Sequence, residues 1–96
     1  MLEIRQEPQG LVFSGELNRD TVVQFWPFKP LQTLQGSTVF DLAGLKHVDT
    51  AGLAWLLQVL SQAKAKSLQV QLRGMPQQLR SLALVSDVLS LLPTES

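Results

Sequence analysis

The chain has 96 residues, 45% of them apolar and 17% charged, with eight basic against eight acidic side chains and a formal net charge of zero. That length holds one domain around one hydrophobic core, and the apolar share argues against disorder. With zero cysteines there is no disulfide framework, thiolate chemistry or Cys-based metal site, and the balanced charge supplies no basic stripe for nucleic acid.

The opening "LEIRQE" alternates, Leu2 and Ile4 on one face and Glu3 and Arg5 on the other, and predicts a half-buried strand. After the turn "PQG", the stretch "LVFSGEL" predicts a second strand in a hairpin with the first. Asn18, Arg19 and Asp20 offer helix-start chemistry before "TVVQFW". Pro27 must end or kink that helix, because proline lacks an N–H and crowds the preceding turn. "STVFDLAG" (37–44) predicts a strand whose Val39, Phe40 and Leu42 point both ways, as in a strand covered on both faces.

Ala51 to about Lys66 carries the strongest helical signal. At about 100° per residue, Leu53, Leu56, Leu57 and Leu60 fall within one arc and are expected to form its core face. Trp55 lies about 200° from Leu53, beside Ala51, Gln58 and Gln62. Two readings stand for it: a contact offered to a partner, or peripheral core covered by a loop or by the broken first helix. "LQVQLRG" (68–74) alternates again as a strand. Pro76 suits the first turn of a last helix with Leu79, Leu82 and Ala83 inward, and "SDVLSLLP" adds a turn docked by Val88, Leu89 and Leu92.

Asp49 and Thr50 sit at the start of the helix after Thr50, where side-chain oxygens can accept from free N–H groups and a carboxylate suits the helix dipole. Capping explains one such residue. The other reading presents the Thr50 hydroxyl to solvent or to a partner, with Ala51 and Gly52 keeping the surroundings flat. Asp41 and Asp49, on either side of a loop "LAGLKHV", could in principle form an acid/base or Mg²⁺ pair. Neither has a companion His, Glu or Gly-rich phosphate loop, and His47 stands alone beside Lys46 as a surface loop residue. No catalytic constellation, metal site or cofactor motif emerges. The N-terminal residues lack a signal-peptide h-region, and no run approaches the roughly 18 apolar residues of a membrane span, so a cytoplasmic setting is expected.

"VFDLAGLKHVDTAGLAWLL" resembles the signature of the STAS-domain family: a strand ending in Asp-Leu, a short loop, then Asp-Ser/Thr-x-Gly-Leu opening a helix. "LVFSGELN" and "LRG" are similar to the same family. The resemblance implies an α/β fold: a single STAS domain over 1–92, a mixed β-sheet of about four strands with helices mainly on one side, and a disordered tail at 93–96. Two branches of the family compete. Small STAS subunits of Mla phospholipid-transport ABC systems bind the ATP-binding subunit, support its assembly and ATPase activity, and meet the permease only indirectly. Anti-sigma-factor antagonists are switched by phosphorylation, a role that would fall on Thr50. The length below 100 residues, Thr at the motif, and "SGELN" followed soon by "FW" resemble the first branch. By that resemblance the chain is a non-enzymatic, cytoplasmic accessory subunit, peripheral to the inner membrane, without cofactor, metal, nucleic acid or direct membrane insertion. Thr50, Ala51, Trp55 and Gln58 are then the partner contacts, with Asp49 as cap and organiser.

Overall fold

The computed structural model describes residues 1–94. Strand β1 (Leu2–Glu7) and strand β2 (Gly10–Leu17) form the expected antiparallel hairpin. Asn18 then starts helix α1 (Arg19–Val22), accepting from the Asp20 and Thr21 N–H groups, while the Thr21 hydroxyl accepts from Asn18 N in return. The helix lasts one turn and passes into 3₁₀ turns at Val23–Phe25 and Lys29–Gln32, with Pro27 between them as the expected break. Strand β3 (Ser37–Val48) pairs parallel to β2 on one side and to strand β4 (Gln69–Arg73) on the other, giving the order β1-β2-β3-β4. Helix α2 (Thr50–Ala65) joins β3 to β4, and helix α3 (Gln77–Val85) follows β4.

Strand β3 runs four residues beyond the expected end at Gly44. It absorbs two extra residues relative to β2: β2 advances from Val12 to Ser14 while β3 advances from Asp41 to Gly44, and from Gly15 to Glu16 while β3 advances from Leu45 to His47. At the first of these bulges Asp41 Oδ1 accepts from Ala43 N at 3.0 Å. Asp41 is therefore mid-strand rather than terminal, and His47 is an exposed strand residue opposite Glu16 rather than a loop residue.

The sheet buries one face. Leu11 and Phe13 of β2, Phe40 and Leu42 of β3 and Leu72 of β4 pack beneath the helices, whereas Val39 and Asp41 are only half-buried and Gln69, Gln71 and Arg73 are exposed. The expectation of a β3 covered on both faces is thus corrected, and the helices lie on one side. The turn at Leu89–Leu91 docks as expected, with Leu92 buried and Val88 and Leu89 packed against the core. Pro93 and Thr94, expected in the tail, run alongside β4, where Leu72 N donates to Pro93 O at 2.7 Å. The remainder of that expected tail, 95–96, lies outside the described residues.

Candidate functional site

The region around Thr50 is built where β2 and β3 end together. Leu17 O accepts from Asp49 N at 3.1 Å, and the chain then turns into α2. Asp49 is the N-cap, with extended backbone and Oδ1 accepting from Gly52 N at 2.8 Å. Gly52 is demanded by contact rather than by backbone angle: a Cβ there would stand 2.1 Å from Leu17 O. The start of α2 consequently lies flat on the end of β2.

Capping belongs to Asp49 alone. The Thr50 side chain is exposed, and its hydroxyl makes no hydrogen bond among the described residues. Along the same side of α2, Ala54 and Gln58 are exposed and Ala51 half-buried. Asp49, Thr50, Ala51 and Gln58 are thereby brought to one end and edge of the helix.

Trp55 adds little exposed area to that surface. It is 6% exposed, so its place as a partner contact is corrected to core. Phe28, carried by the proline-broken segment, meets its ring edge-on with centroids 5.2 Å apart, and Phe13 of β2 does the same at 6.3 Å. The indole Nε1–H donates to Phe25 O at 3.4 Å. The leucine arc is also displaced. Gly52, Leu56, Val59 and Ala63 form the centre of the buried face, while Leu57 and Leu60 are half-buried, a rotation of about 80° towards Trp55.

What the broken segment covers with Phe28, it extends with Trp26. That side chain is 44% exposed and, with Ala54, Trp55 and Gln58, lines a shallow cleft of about 320 Å³. Val23, 66% exposed, lies on the preceding 3₁₀ turn. Neither residue was expected at the site. The available signal was an aromatic side chain directly before a proline, where the helix that would have buried it must stop.

The outer edge of α2 formed by Thr50, Ala54 and Gln58, with Trp26 beside it, carries no charge of its own, so a partner covering the edge strips water from few charged atoms. The Asp49 carboxylate and the exposed Arg19 border it at the Thr50 end. The carboxyl of Glu16 lies below its ordinary pKa, held there chiefly by the hydrogen bond and charge of the N-terminal ammonium 2.9 Å away. The acid/base pairing of Asp41 with Asp49 finds no support. Seven residues of mostly extended chain separate them, so eight steps at about 3.3 Å each, less the bulges, place them roughly 20–25 Å apart. No group of three or more His, Cys, Asp or Glu side chains among the described residues is arranged to hold a metal ion, and no helix there is long and apolar enough to cross a membrane.

A family model described as the MlaB STAS domain matches residues 1–93. The chain is 36% identical over 88 residues to the intermembrane phospholipid transport system binding protein MlaB of Escherichia coli (strain K12), covering 88% of this chain and 90% of that protein. It is 35% identical over 78 residues to the protein of the same name from Haemophilus influenzae, covering 76% and 74% respectively. Among solved structures, the anti-sigma factor antagonist SpoIIAA in its unphosphorylated form superposes with a TM-score of 0.73 at 15% identity, over 100% of this chain and 89% of that one. A putative anti-sigma factor antagonist from Thermotoga maritima gives 0.77 at 13% identity, over 100% and 86%. At such identities these two likenesses speak for the fold alone.

Proposed function

The chain belongs to the MlaB STAS-domain family, and on that premise we propose that it is a non-enzymatic accessory subunit of a phospholipid-transport ABC system. It binds the ATP-binding subunit, supports its assembly and ATPase activity, and sits at the cytoplasmic face of the inner membrane through that complex. The observation that carries this reading is the outer edge of α2, where Thr50, Ala54 and Gln58 are exposed and Trp26 stands beside Ala54 and Gln58. A docking protein of this kind changes its partner's activity by binding one ATPase conformation more tightly than another, since only differential affinity shifts an equilibrium.

The test is co-purification and titration with the ATP-binding subunit. Thr50→Glu is expected to weaken binding on the order of 100-fold, about 2.7 kcal/mol, because a second carboxylate would be desolvated beside Asp49. Its thermal midpoint should stay close to that of the unsubstituted chain, Thr50 being exposed and unbonded. Unchanged affinity would remove Thr50 from the interface.

Trp26→Ala is expected to cost about tenfold in affinity, as aromatic anchors at interface centres do. The same substitution should alter stability by less than about 1 kcal/mol, given the exposure of the ring. A large loss of stability would make Trp26 structural.

The unpartnered hydroxyl of Thr50 also favours a second reading, a phospho-switched regulator of the anti-sigma-factor-antagonist type. A phosphate there would stand next to the Asp49 carboxylate and add about two negative charges beside it. Intact-mass measurement of protein from its native cells decides: a phosphorylated fraction on Thr50 supports the switch, and uniformly unmodified protein removes it.

A further inference from the structure

The two elements of the Thr50 surface come from distant parts of the chain, and one carboxylate joins them. Asp49 Oδ1 accepts from Gly52 N at 2.8 Å, which caps α2. Its other oxygen, Oδ2, accepts at 3.2 Å from the N–H of Arg19, thirty positions earlier and the first residue of α1.

The donors at the start of α1 show why this second bond matters. A helix leaves its first N–H groups without intrahelical partners. The Asp20 and Thr21 N–H groups are satisfied by the Asn18 side chain, each at 3.0 Å, and Val22 N by Asn18 O at 3.0 Å. Arg19 N is the one that Asn18 does not satisfy, and Asp49 takes it. At the other end of the same segment, Phe25 O accepts from the Trp55 indole of α2. The stretch 19–25 is thus tied to α2 at both ends, and Trp26 follows directly.

We propose that Asp49 is a positioning residue: its carboxylate holds the start of α1 to the start of α2 and so sets Trp26 and Val23 at a fixed place relative to Thr50. This rests on the reading that the Thr50 surface docks the ATP-binding subunit. It goes further by assigning Asp49 a second task, separable from helix capping. Asp49 acts on the partner through the geometry of the surface and not by touching it.

The separation can be tested because asparagine caps helices about as well as aspartate. Asp49→Asn keeps a carbonyl oxygen for Gly52 N but puts an amide, which donates, where Oδ2 accepted from Arg19 N. The mirror variant is Arg19→Pro. It deletes the donor at the first helical position, where proline is well tolerated, behind an Asn18 whose extended backbone suits a following proline. Arg19→Ala, which keeps the N–H, is the control.

Affinity for the ATP-binding subunit should fall about tenfold in Asp49→Asn and in Arg19→Pro, and stay within about twofold in Arg19→Ala. Nuclear magnetic resonance should show faster exchange of the Arg19 amide in Asp49→Asn and a shifted Trp26 indole signal in both uncoupling variants. In a Trp26→Ala background, Asp49→Asn should cost less than about twofold more, because the residue it positions has gone. Fully additive losses, or unchanged Arg19 and Trp26 signals, would overturn the positioning role. If the unsubstituted chain fails to bind the ATP-binding subunit at all, the docking reading falls. The link from Asp49 to Trp26 then stands or falls on the resonance signals of the free protein.

Discussion

Trp55→Ala is expected to destabilise the domain by about 3–5 kcal/mol, the range for deleting a buried tryptophan. Against a total stability of about 5–14 kcal/mol for a domain of this length, that is about a fifth or more of what holds the fold. Three contacts go with the indole. Two are the edge-on packings against Phe28 and Phe13, and the third is the hydrogen bond to Phe25 O, whose carbonyl loses that donor. The loss is not confined to α2. Phe28 is 3% exposed, and Trp55 is the ring it packs against from the broken segment. Removing that ring loosens the chain from Val23 to Gln32, Trp26 included. Urea unfolding reads the effect as a lower midpoint. A loss below about 1 kcal/mol would mean that Trp55 is peripheral and that the segment over it is not seated.

Gly52→Ala is the second large effect, and its sign runs against helix propensity. In a helix interior, alanine is favoured over glycine by about 1 kcal/mol. Here the new methyl would meet Leu17 O at 2.1 Å and Leu17 C at 2.8 Å. That carbonyl has little freedom to retreat, since it accepts from Asp49 N and belongs to a fully buried residue. Overpacking costs about 1–3 kcal/mol and occasionally more, and a clash this close with backbone belongs at the top of that range. A net loss of about 2 kcal/mol is therefore expected after the propensity gain of about 1 kcal/mol. The start of α2 would also lift from β2, carrying Thr50 with it, so partner affinity should fall in parallel with the thermal midpoint. A more stable Gly52→Ala protein would show that α2 does not need its close seat on Leu17.

Much of the fold was legible because its signals are local. The alternation of "LEIRQE" and "LQVQLR", the turn between the first two strands, and the start of α2, expected at Ala51 and found at Thr50, each follow from a few neighbouring residues. Asp49 was legible as a cap for the same reason. Where the reading failed, the missing information was tertiary. "LAGLKHV" reads as a loop because two bulges break the alternation that marks a strand, yet β2 holds it in the sheet. The helical arc was centred on leucines, whereas the buried centre of α2 is built from Gly52, Leu56, Val59 and Ala63. Side-chain size marks what is worth burying, and the neighbouring elements decide what is buried.

Trp55 illustrates the same limit at the site. Its angle on the helix follows from the sequence, but the angle cannot say what stands opposite. A segment with two prolines and no period turned out to supply Phe28 as a cover. That cover puts Trp26, rather than Trp55, beside the open edge of α2. The second bond of Asp49 was invisible for a similar reason, since its partner Arg19 is brought near only when β2 and β3 end side by side.

The central claim, that the partner covers the start and outer edge of α2, is tested most directly by where binding hides the surface. The chain has no cysteine, so a single one placed at exposed Ala54 or at exposed Gln71 on the open sheet face gives a unique labelling site. Maleimide labelling is then timed with and without the ATP-binding subunit. Ala54→Cys should label at least about tenfold more slowly in the complex, because interface centres exclude water, while Gln71→Cys should be unaffected. Protection of Gln71→Cys with Ala54→Cys still open would place the partner on the sheet and contradict the assignment.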